Sequence, residues 1–380
     1  MKLLEYQAKE VLSSLGIAVP PGAVARTPDE AAAAYARLGP VAVKAQVPVG
    51  GRGKAGGIKL AHTAEEARAA AQQIIGMDIK GFRVPLVYCE TALDIAREIY
   101  VGFTVDRDAR ANVLLLSAKG GMDIETVAEE SPEAIARLHP NPWRGPLDFE
   151  LNRLAFDAEL GELVRPLSAV IKKLYRAIPD YDALTAEINP LVVTRSGDVI
   201  AGDAKLEIDD NAAWRHRDLE EKYGSVIEGD PYEVEAKKRG LTYVSLDGEI
   251  GIIGNGAGLC MSTLDLVQRA GGRPANFCDI GGGAKAEVVE NALAVILMNP
   301  RVTGVIINVF GGITRGDEVA KGIVTARDNL QMKLPLVVRL SGTNEEEGRA
   351  ILKQHGIEPG VNAWASAQKI VELTRAGART

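Results

Sequence analysis

The chain has only four histidines and three cysteines in 380 residues, and neither set is arranged for chemistry. Cys89, Cys260 and Cys278 stand far apart in apolar surroundings, without metal-ligand spacing. They read as small buried hydrophobes of a reducing compartment, the cytoplasm. His62, His139, His216 and His355 lie outside every glycine-rich loop, with no orienting carboxylate evident beside them, and no serine or cysteine has the setting of an activated nucleophile. A reaction needing a covalent carrier would therefore find it on another chain. No apolar run approaches the roughly 20 residues of a membrane span. The first residues, Met1 to Gln7, are amphipathic and lack the pattern of a signal peptide. Basic excess is missing too: the net charge is −7, which argues against nucleic acid and an anionic membrane surface as partners.

What is present begins with length. At roughly 100–200 residues per domain, the chain predicts two or three domains. The stretch Val41 to Gly57 organises the first of them. It starts as a strand with Val41, Val43, Ala45 and Val47 on one face and Lys44 and Gln46 on the other. It continues as a loop holding Gly50, Gly51, Gly53, Gly56 and Gly57 together with Arg52 and Lys54. Glycine lets backbone N–H groups approach a ligand closely, and cations there balance phosphate charge. The pattern is not the G-x-x-x-x-G-K-[ST] phosphate loop, because no Ser or Thr follows Lys54.

Around this stretch, Leu4, Ala8, Val11, Leu12 and Leu15 predict a helix stopped by Gly16. Thr27-Pro-Asp-Glu30 and Thr63-Ala-Glu-Glu66 are capping boxes that open helices to about Gly39 and Ile75. Strands are predicted at 84–90, 98–105 and 112–118, a helix start at Ser131-Pro-Glu-Ala, two helices within 152–177, and a hairpin of 184–194 with 198–206. The charged segment 207–240 reads as a connection carrying one or two surface helices. Beyond Tyr243 the pattern is strand–helix alternation, with strands near 250–253, 275–280, 302–310 and 336–340, and predicts an α/β doubly wound parallel sheet. The domain limits expected are 1–232, a linker at 233–242, and 243–380.

Period two places Glu187 with Asn189 on one face of the hairpin's first strand and Asp203 with Lys205 on one face of its second. A three-residue turn with Gly197 in the left-handed position sets Asn189 opposite Asp203, about 5 Å between Cβ atoms. A carboxylate and an amide oxygen at that distance suit Mg²⁺, which completes its shell with waters and phosphates. Glu90 and Glu98, with the backbone of 92–95 between them, could receive a ribose and a flat ring. In the C-terminal half, glycines close successive strands at 254–258, 281–283, 311–312 and 342, where helix N-termini attract anions. Gly254–Gly258 is not a dinucleotide fingerprint, since Leu259 stands where the third glycine belongs.

Taken together, Leu4-Glu-Tyr-Gln-Ala-Lys9, Gly50-Gly-Arg-Gly-Lys-Ala-Gly-Gly57, Glu187-Ile-Asn-Pro-Leu191, Asn255-Gly-Ala-Gly258, Asp279-Ile-Gly-Gly-Gly283, Phe310-Gly-Gly-Ile-Thr-Arg315 and Arg339-Leu-Ser-Gly resemble the β-subunit family of succinyl-CoA synthetases, along nearly the whole chain. The resemblance implies an N-terminal ATP-grasp domain and a C-terminal flavodoxin-like CoA-ligase domain. It implies that Lys44 and the backbone of Gly51, Arg52 and Gly53 hold nucleotide phosphates, and that Glu90, the Leu93 backbone and Glu98 hold base and ribose. Asn189 and Asp203 would bind Mg²⁺, Glu187 would orient a phosphohistidine on an α subunit, and Asn255 with Gly312, Ile313 and Thr314 would meet the acid substrate or phosphate. CoA would bind mainly to the partner. Pro48-Val49, Leu93 and Ala204 depart from the family's usual residues. The implied reaction is ATP + succinate + CoA to ADP, phosphate and succinyl-CoA; a malate– or citrate–CoA ligase subunit, a self-contained ATP-grasp carboxylate ligase and a nucleotide-sensing protein are the alternatives.

Overall fold

Both capping boxes open the helices they predict. Thr27 Oγ1 accepts from Glu30 N at 3.2 Å and starts Pro28–Leu38; Thr63 Oγ1 accepts from Glu66 N at 3.1 Å and starts Ala64–Ile74. In the computed structural model, which describes residues 1–224, 230–283 and 285–377, these helices pack on a four-stranded antiparallel sheet in the order Gly22–Ala25, Val87–Thr91, Val41–Ala45, Ile58–Ala61. Val41, Val43, Ala45 and Val47 enter its core with Ala31, Ala34, Ala67 and Ala71 from the helices. Small helix residues let helix and sheet approach closely, and the alternation of the strand decides which side they meet.

A second, six-stranded sheet carries the predicted hairpin. Ala183–Thr194 pairs with Ile95–Asp106 on one side and with Val199–Ala201 and Lys205–Ile208 on the other. Ala111–Ser117 and Ala136–Leu138 extend the sheet outward. Helices Glu5–Ser14, Asp148–Asp157 and Val164–Tyr175 bury their apolar stripes against it, with Phe103, Leu114, Leu116 and Ile188 beneath them.

One helix start fails. Ser131 caps nothing, and Pro132–Ala134 is a single tight turn leading into strand Ala136–Leu138, while the acidic run before it forms helix Ile124–Glu130. Sheet pairing of Leu138 with Leu114, together with burial of Ile135 and Ala136, overrides the local Ser-Pro-Glu signal.

By contacts, the chain separates into Met1–Glu228 and Gly229–Thr380. Of the 207–240 segment, residues 225–229 lie outside the described residues; the rest forms the turn Asp210–Arg215 and helices Arg217–Tyr223 and Pro231–Lys238. Residues 233–242, expected as a linker, hold most of that last helix and reach the strand Thr242–Ser245. Asp230 caps the helix, Pro231 sits at its first position, and Ala236 is buried in the second unit's core.

The second unit is a five-stranded sheet in the order Thr242–Ser245, Asn276–Asp279, Ile250–Gly254, Gly304–Gly311, Leu336–Gly342. All neighbours run parallel except the first strand. Ile253, Val305, Ile307 and Val338 face one core with helices Ala286–Leu297 and Gly316–Asn329. Ile252, Ile306 and Val337 face the other with helices Ala257–Arg269 and Ala363–Gly377. Alternate residues of one strand thus serve opposite cores, which is why these strands read as continuous apolar runs.

Candidate functional site

The glycine loop and the hairpin wall a cleft of about 290 Å³ in the first unit. Gly51, Arg52 and Gly53 line it from the loop, and Glu187, Asn189, Asp203 and Lys205 from the hairpin. The loop returns to its strand at Gly57, whose N donates to Arg52 O at 2.9 Å and whose O accepts from Ala45 N at 2.7 Å. A Cβ on Gly57 would lie 3.1 Å from Arg52 O and 3.0 Å from Ala45 Cβ, so the closure depends on glycine.

From the cleft wall inward runs a largely buried cluster of charge. Arg52 Nη2 meets Asp203 Oδ2 at 2.6 Å, and its Nη1 meets Glu5 Oε2 at 2.7 Å and Ala45 O at 3.0 Å. Lys44 Nζ lies 2.9 Å from Glu5 Oε1, 2.5 Å from Glu90 Oε1 and 2.6 Å from Gly202 O. Lys9 Nζ bonds Glu90, Gly202 O at 2.9 Å and Glu5 Oε1 at 2.9 Å. Burial works against a charged Lys44, but Glu5, Glu90 and Asp203 outweigh it and hold the ammonium above its ordinary range. Arg52 is held up in the same way, by Asp203 and then Glu5.

The hairpin turns as predicted: Gly197 has φ +90° and Thr194 N donates to Asp198 O at 2.9 Å. Leu191 pairs with Ala201 on one side of a break and Glu187 with Lys205 on the other, in the same register, so Asn189 and Asp203 face each other across it. Within the break, Pro190 O accepts from Gly202 N at 2.9 Å. The loop at 121–122 orients the Asn189 amide, whose Oδ1 accepts from Gly121 N at 2.8 Å and whose Nδ2 donates to Met122 O at 2.9 Å. Asp203 Oδ1 accepts from Ala204 N at 2.7 Å. Each of these oxygens has a second lone pair. Among the described residues, no group of three or more His, Cys, Asp or Glu side chains could cage an ion. One amide and one carboxylate on a shared cleft nevertheless fit a hard cation that arrives with phosphates and water. Burial pushes the Glu187 carboxyl up, with Lys205 opposing, and Tyr100 OH reaches its Oε2 at 3.4 Å.

The remaining expected residues of this unit stand apart from the cleft lining. Lys44 and Glu90 are buried and bonded to each other, Lys44 also meeting the lining residue Glu5. Leu93 is half-buried between strands Val87–Thr91 and Ile95–Asp106. Glu98 is half-buried beside Gly121, and its main-chain oxygen accepts from Gly120 N at 3.1 Å.

In the second unit, the strand Ile250–Gly254 has its successor in sequence on one side and Gly304–Gly311 on the other. Ligands of such sheets bind where the winding reverses, at the carboxyl ends of the strands. Asn255 and Phe310 sit at that point. Asn255 Nδ2 donates to Thr314 Oγ1 at 3.2 Å, and Thr314 Oγ1 accepts from Gly283 N at 2.8 Å, so three glycine turns are pinned together. Thr314 is buried, whereas Ile313 is 86% exposed. The side chains of Asn255 and Thr314 are thus occupied with each other, the Gly312 carbonyl accepts from Thr343 Oγ1 at 2.9 Å, and the exposed residue of the turn is Ile313.

Two groups escaped sequence reasoning. Glu5 and Lys9 read as the polar side of an amphipathic helix, yet both are buried; the available signal was their i, i+4 spacing among the apolar positions 4, 8 and 12. Two histidines do face carboxylates, contrary to expectation. His139 Nε2 lies 2.8 Å from Asp106 and His216 Nε2 2.8 Å from Asp182, partners 33 and 34 residues away in sequence. Neither histidine lines the cleft.

An ATP-grasp domain family matches residues 2–193, and a CoA-ligase family matches residues 253–371. The chain is 52% identical over 374 residues to the succinate–CoA ligase [GDP-forming] subunit beta of Thermus thermophilus, covering 98% of this chain and 99% of that one. It is 49% identical over 382 residues to the succinate–CoA ligase [ADP-forming] subunit beta of Rubrobacter xylanophilus, covering 99% and 100%. In fold it is similar to the ATP citrate lyase of Methanothrix soehngenii, with a TM-score of 0.74, 20% identity and 99% of each chain covered.

Proposed function

This chain belongs to the succinate–CoA ligase β-subunit family, and on that premise we propose that it is the nucleotide-binding subunit of the enzyme that joins succinate to CoA at the expense of ATP. Full-length identity near one half with β subunits carries the reading. A family β subunit implies an α-subunit partner, and the partner histidine would carry the phosphoryl group between nucleotide and acid. The cleft supports this division of labour, because none of this chain's four histidines lines it. Among the described residues no helix is long and apolar enough to cross a membrane.

In the first unit, the backbone of Gly51, Arg52 and Gly53 receives the nucleotide phosphates, with Lys44 and Arg52 supplying charge. Glu90, Leu93 and Glu98 hold base and ribose. Asn189 Oδ1 and Asp203 are the oxygens that would hold Mg²⁺, which neutralises charge on the transferring phosphoryl group when bound. Glu187 accepts from the partner's imidazole N–H and orients it, with Lys205 across the register opposing the burial that pushes its carboxyl up. In the second unit, the turn of Gly312 and Ile313 receives the acid substrate or phosphate. Asn255 and Thr314 hold that turn in place.

The test is CoA-dependent turnover with Mg²⁺, offering ATP and GTP, and succinate, malate and citrate, on the chain alone and co-expressed with an α subunit. Turnover only with the partner, fastest with succinate and ATP, is expected. Full turnover by the isolated chain would sink the partner-histidine reading. A preference for GTP would reassign the nucleotide while leaving the phosphate and metal sites as proposed.

A further inference from the structure

Helix Glu5–Ser14 carries two buried charges that the roles above leave unused. Glu5 is 3% exposed and Lys9 is 1% exposed. They sit at i and i+4, bonded at 2.9 Å; apart from Gln46 Nε2, which donates to Glu5 Oε2 at 3.4 Å, and the Tyr88 ring 5.7 Å from Lys9 Nζ, their charges meet Lys44, Arg52, Glu90 and the Gly202 carbonyl. Glu5 Oε1 takes Lys44 at 2.9 Å, and Glu5 Oε2 takes Arg52 at 2.7 Å. One carboxylate therefore holds a cation from the strand and a cation from the glycine loop in fixed relation. Lys9 completes the arrangement from the other side. It bonds Glu90 and, at 2.9 Å, the Gly202 carbonyl that Lys44 also meets at 2.6 Å. That carbonyl immediately precedes Asp203, so both lysines fix the backbone from which the Asp203 carboxylate projects.

We propose that Glu5 and Lys9 are positioning residues of the nucleotide site, acting through Lys44, Arg52 and the Gly202 carbonyl; the inference rests on the nucleotide reading above. The cluster holds three carboxylates, Glu5, Glu90 and Asp203, against three cations, Lys9, Lys44 and Arg52. Well-packed apolar residues often give equal or better stability than buried ion pairs, so stability alone is weak reason for such a set. Preorganisation is the stronger reason. Charges that meet phosphate must already point at it, held by groups that do not themselves move. Arg52 shows what Glu5 prevents. Its Nη2 is already on Asp203 Oδ2 at 2.6 Å; freed from Glu5, Nη1 can turn to Asp203 as well and occupy the oxygens proposed for the metal.

The test uses the full chain and a charge-balanced double variant, Glu5→Gln with Lys9→Met, and measures ADP binding with Mg²⁺ by calorimetry. The Kd for ADP is expected to rise about tenfold or more, the scale of lost preorganised charge contacts. In the complex with the α subunit, the nucleotide KM should rise likewise while the KM for succinate stays within about twofold, a split that a merely structural role would not produce. Unchanged ADP affinity in the folded variant overturns the proposal. If the double variant does not fold, Lys9→Arg decides. It keeps the charge count but spreads it over a planar fork. Weaker ADP binding with melting retained supports the proposal, and wild-type binding overturns it. Failure of the unmodified chain to bind ADP or GDP would instead overturn the nucleotide reading itself, and this inference with it.

Discussion

Asn255 grips the main chain of Phe310 from both sides. Its Nδ2 donates to Phe310 O at 2.9 Å and its Oδ1 accepts from Phe310 N at 2.8 Å. One side chain thus takes the place of a strand neighbour where Ile250–Gly254 has ended, while Phe310 still pairs with Ser341 on its other side, and fixes the start of the turn Gly311–Thr314.

Replacing Asn255 with Ala removes both bonds. The expected cost is about 1–2 kcal/mol, with a higher KM for succinate in the complex. ADP affinity should be unchanged, since the clamp belongs to the second unit. Loss of ADP binding in this variant would contradict that assignment.

Two glycines of the loop should behave differently. Gly57→Ala brings a methyl group within 3.1 Å of Arg52 O, and is expected to destabilise by about 1–3 kcal/mol and weaken nucleotide binding. Gly50→Ala meets nothing within 4 Å and should stay within about 0.5 kcal/mol of the parent. Chemical denaturation with ADP titration checks both; equal effects would mean the loop's path does not depend on close approach at Gly57.

Acid should reach the first unit through Glu5. Burial pushes this carboxyl up, but Arg52, Lys44 and Lys9 together outweigh it and hold the group well below its ordinary 4.5. A lowered folded-state pKa contributes stability that is present above the unfolded value and lost as pH falls through the folded one. Glu5→Gln lacks that contribution. It should lose about 3–5 kcal/mol at pH 7, as expected for removing one partner of a buried ion pair, and its Tm should fall less steeply below pH 4.5 than the parent's. Parallel Tm curves would refute the sign.

The three thiols should be silent in the native protein. Cys89, Cys260 and Cys278 are each fully buried and free. Burial pushes Cys89 up to about 11 and Cys260 up to about 12, with Asp279 adding to the latter. Cys278 is pushed up too. Alkylation at pH 8 followed by mass spectrometry should find no label before unfolding and three after it. Label on any one of them in the native state would show an opening that the packing does not provide.

Local signals carried most of the fold. Capping boxes, the Gly197 turn and the apolar strands of the second unit announce themselves within a few residues, and the structure follows them. Ser131-Pro132 shows the limit, because a pairing with Leu114 outweighed a good local helix start. The cleft was legible where its residues lie in one loop or one hairpin. Glu5 and Lys9 were not, since their spacing among apolar positions hints at burial but not at partners on strands 39 and 81 residues away. His139 and His216 were missed for the same reason: their carboxylate partners are distant in sequence.

The turn at Arg195–Gly197 has a bearing on how related sequences can vary. Side chains alternate from Asp203 to Leu206, so one residue gained or lost that shifted the pairing would exchange their faces. Asp203 and Lys205 would turn toward the core, and Ala204 and Leu206, now buried, would turn outward. The composition of this turn is free to drift, apart from the glycine. Its length is constrained wherever a change would shift the pairing.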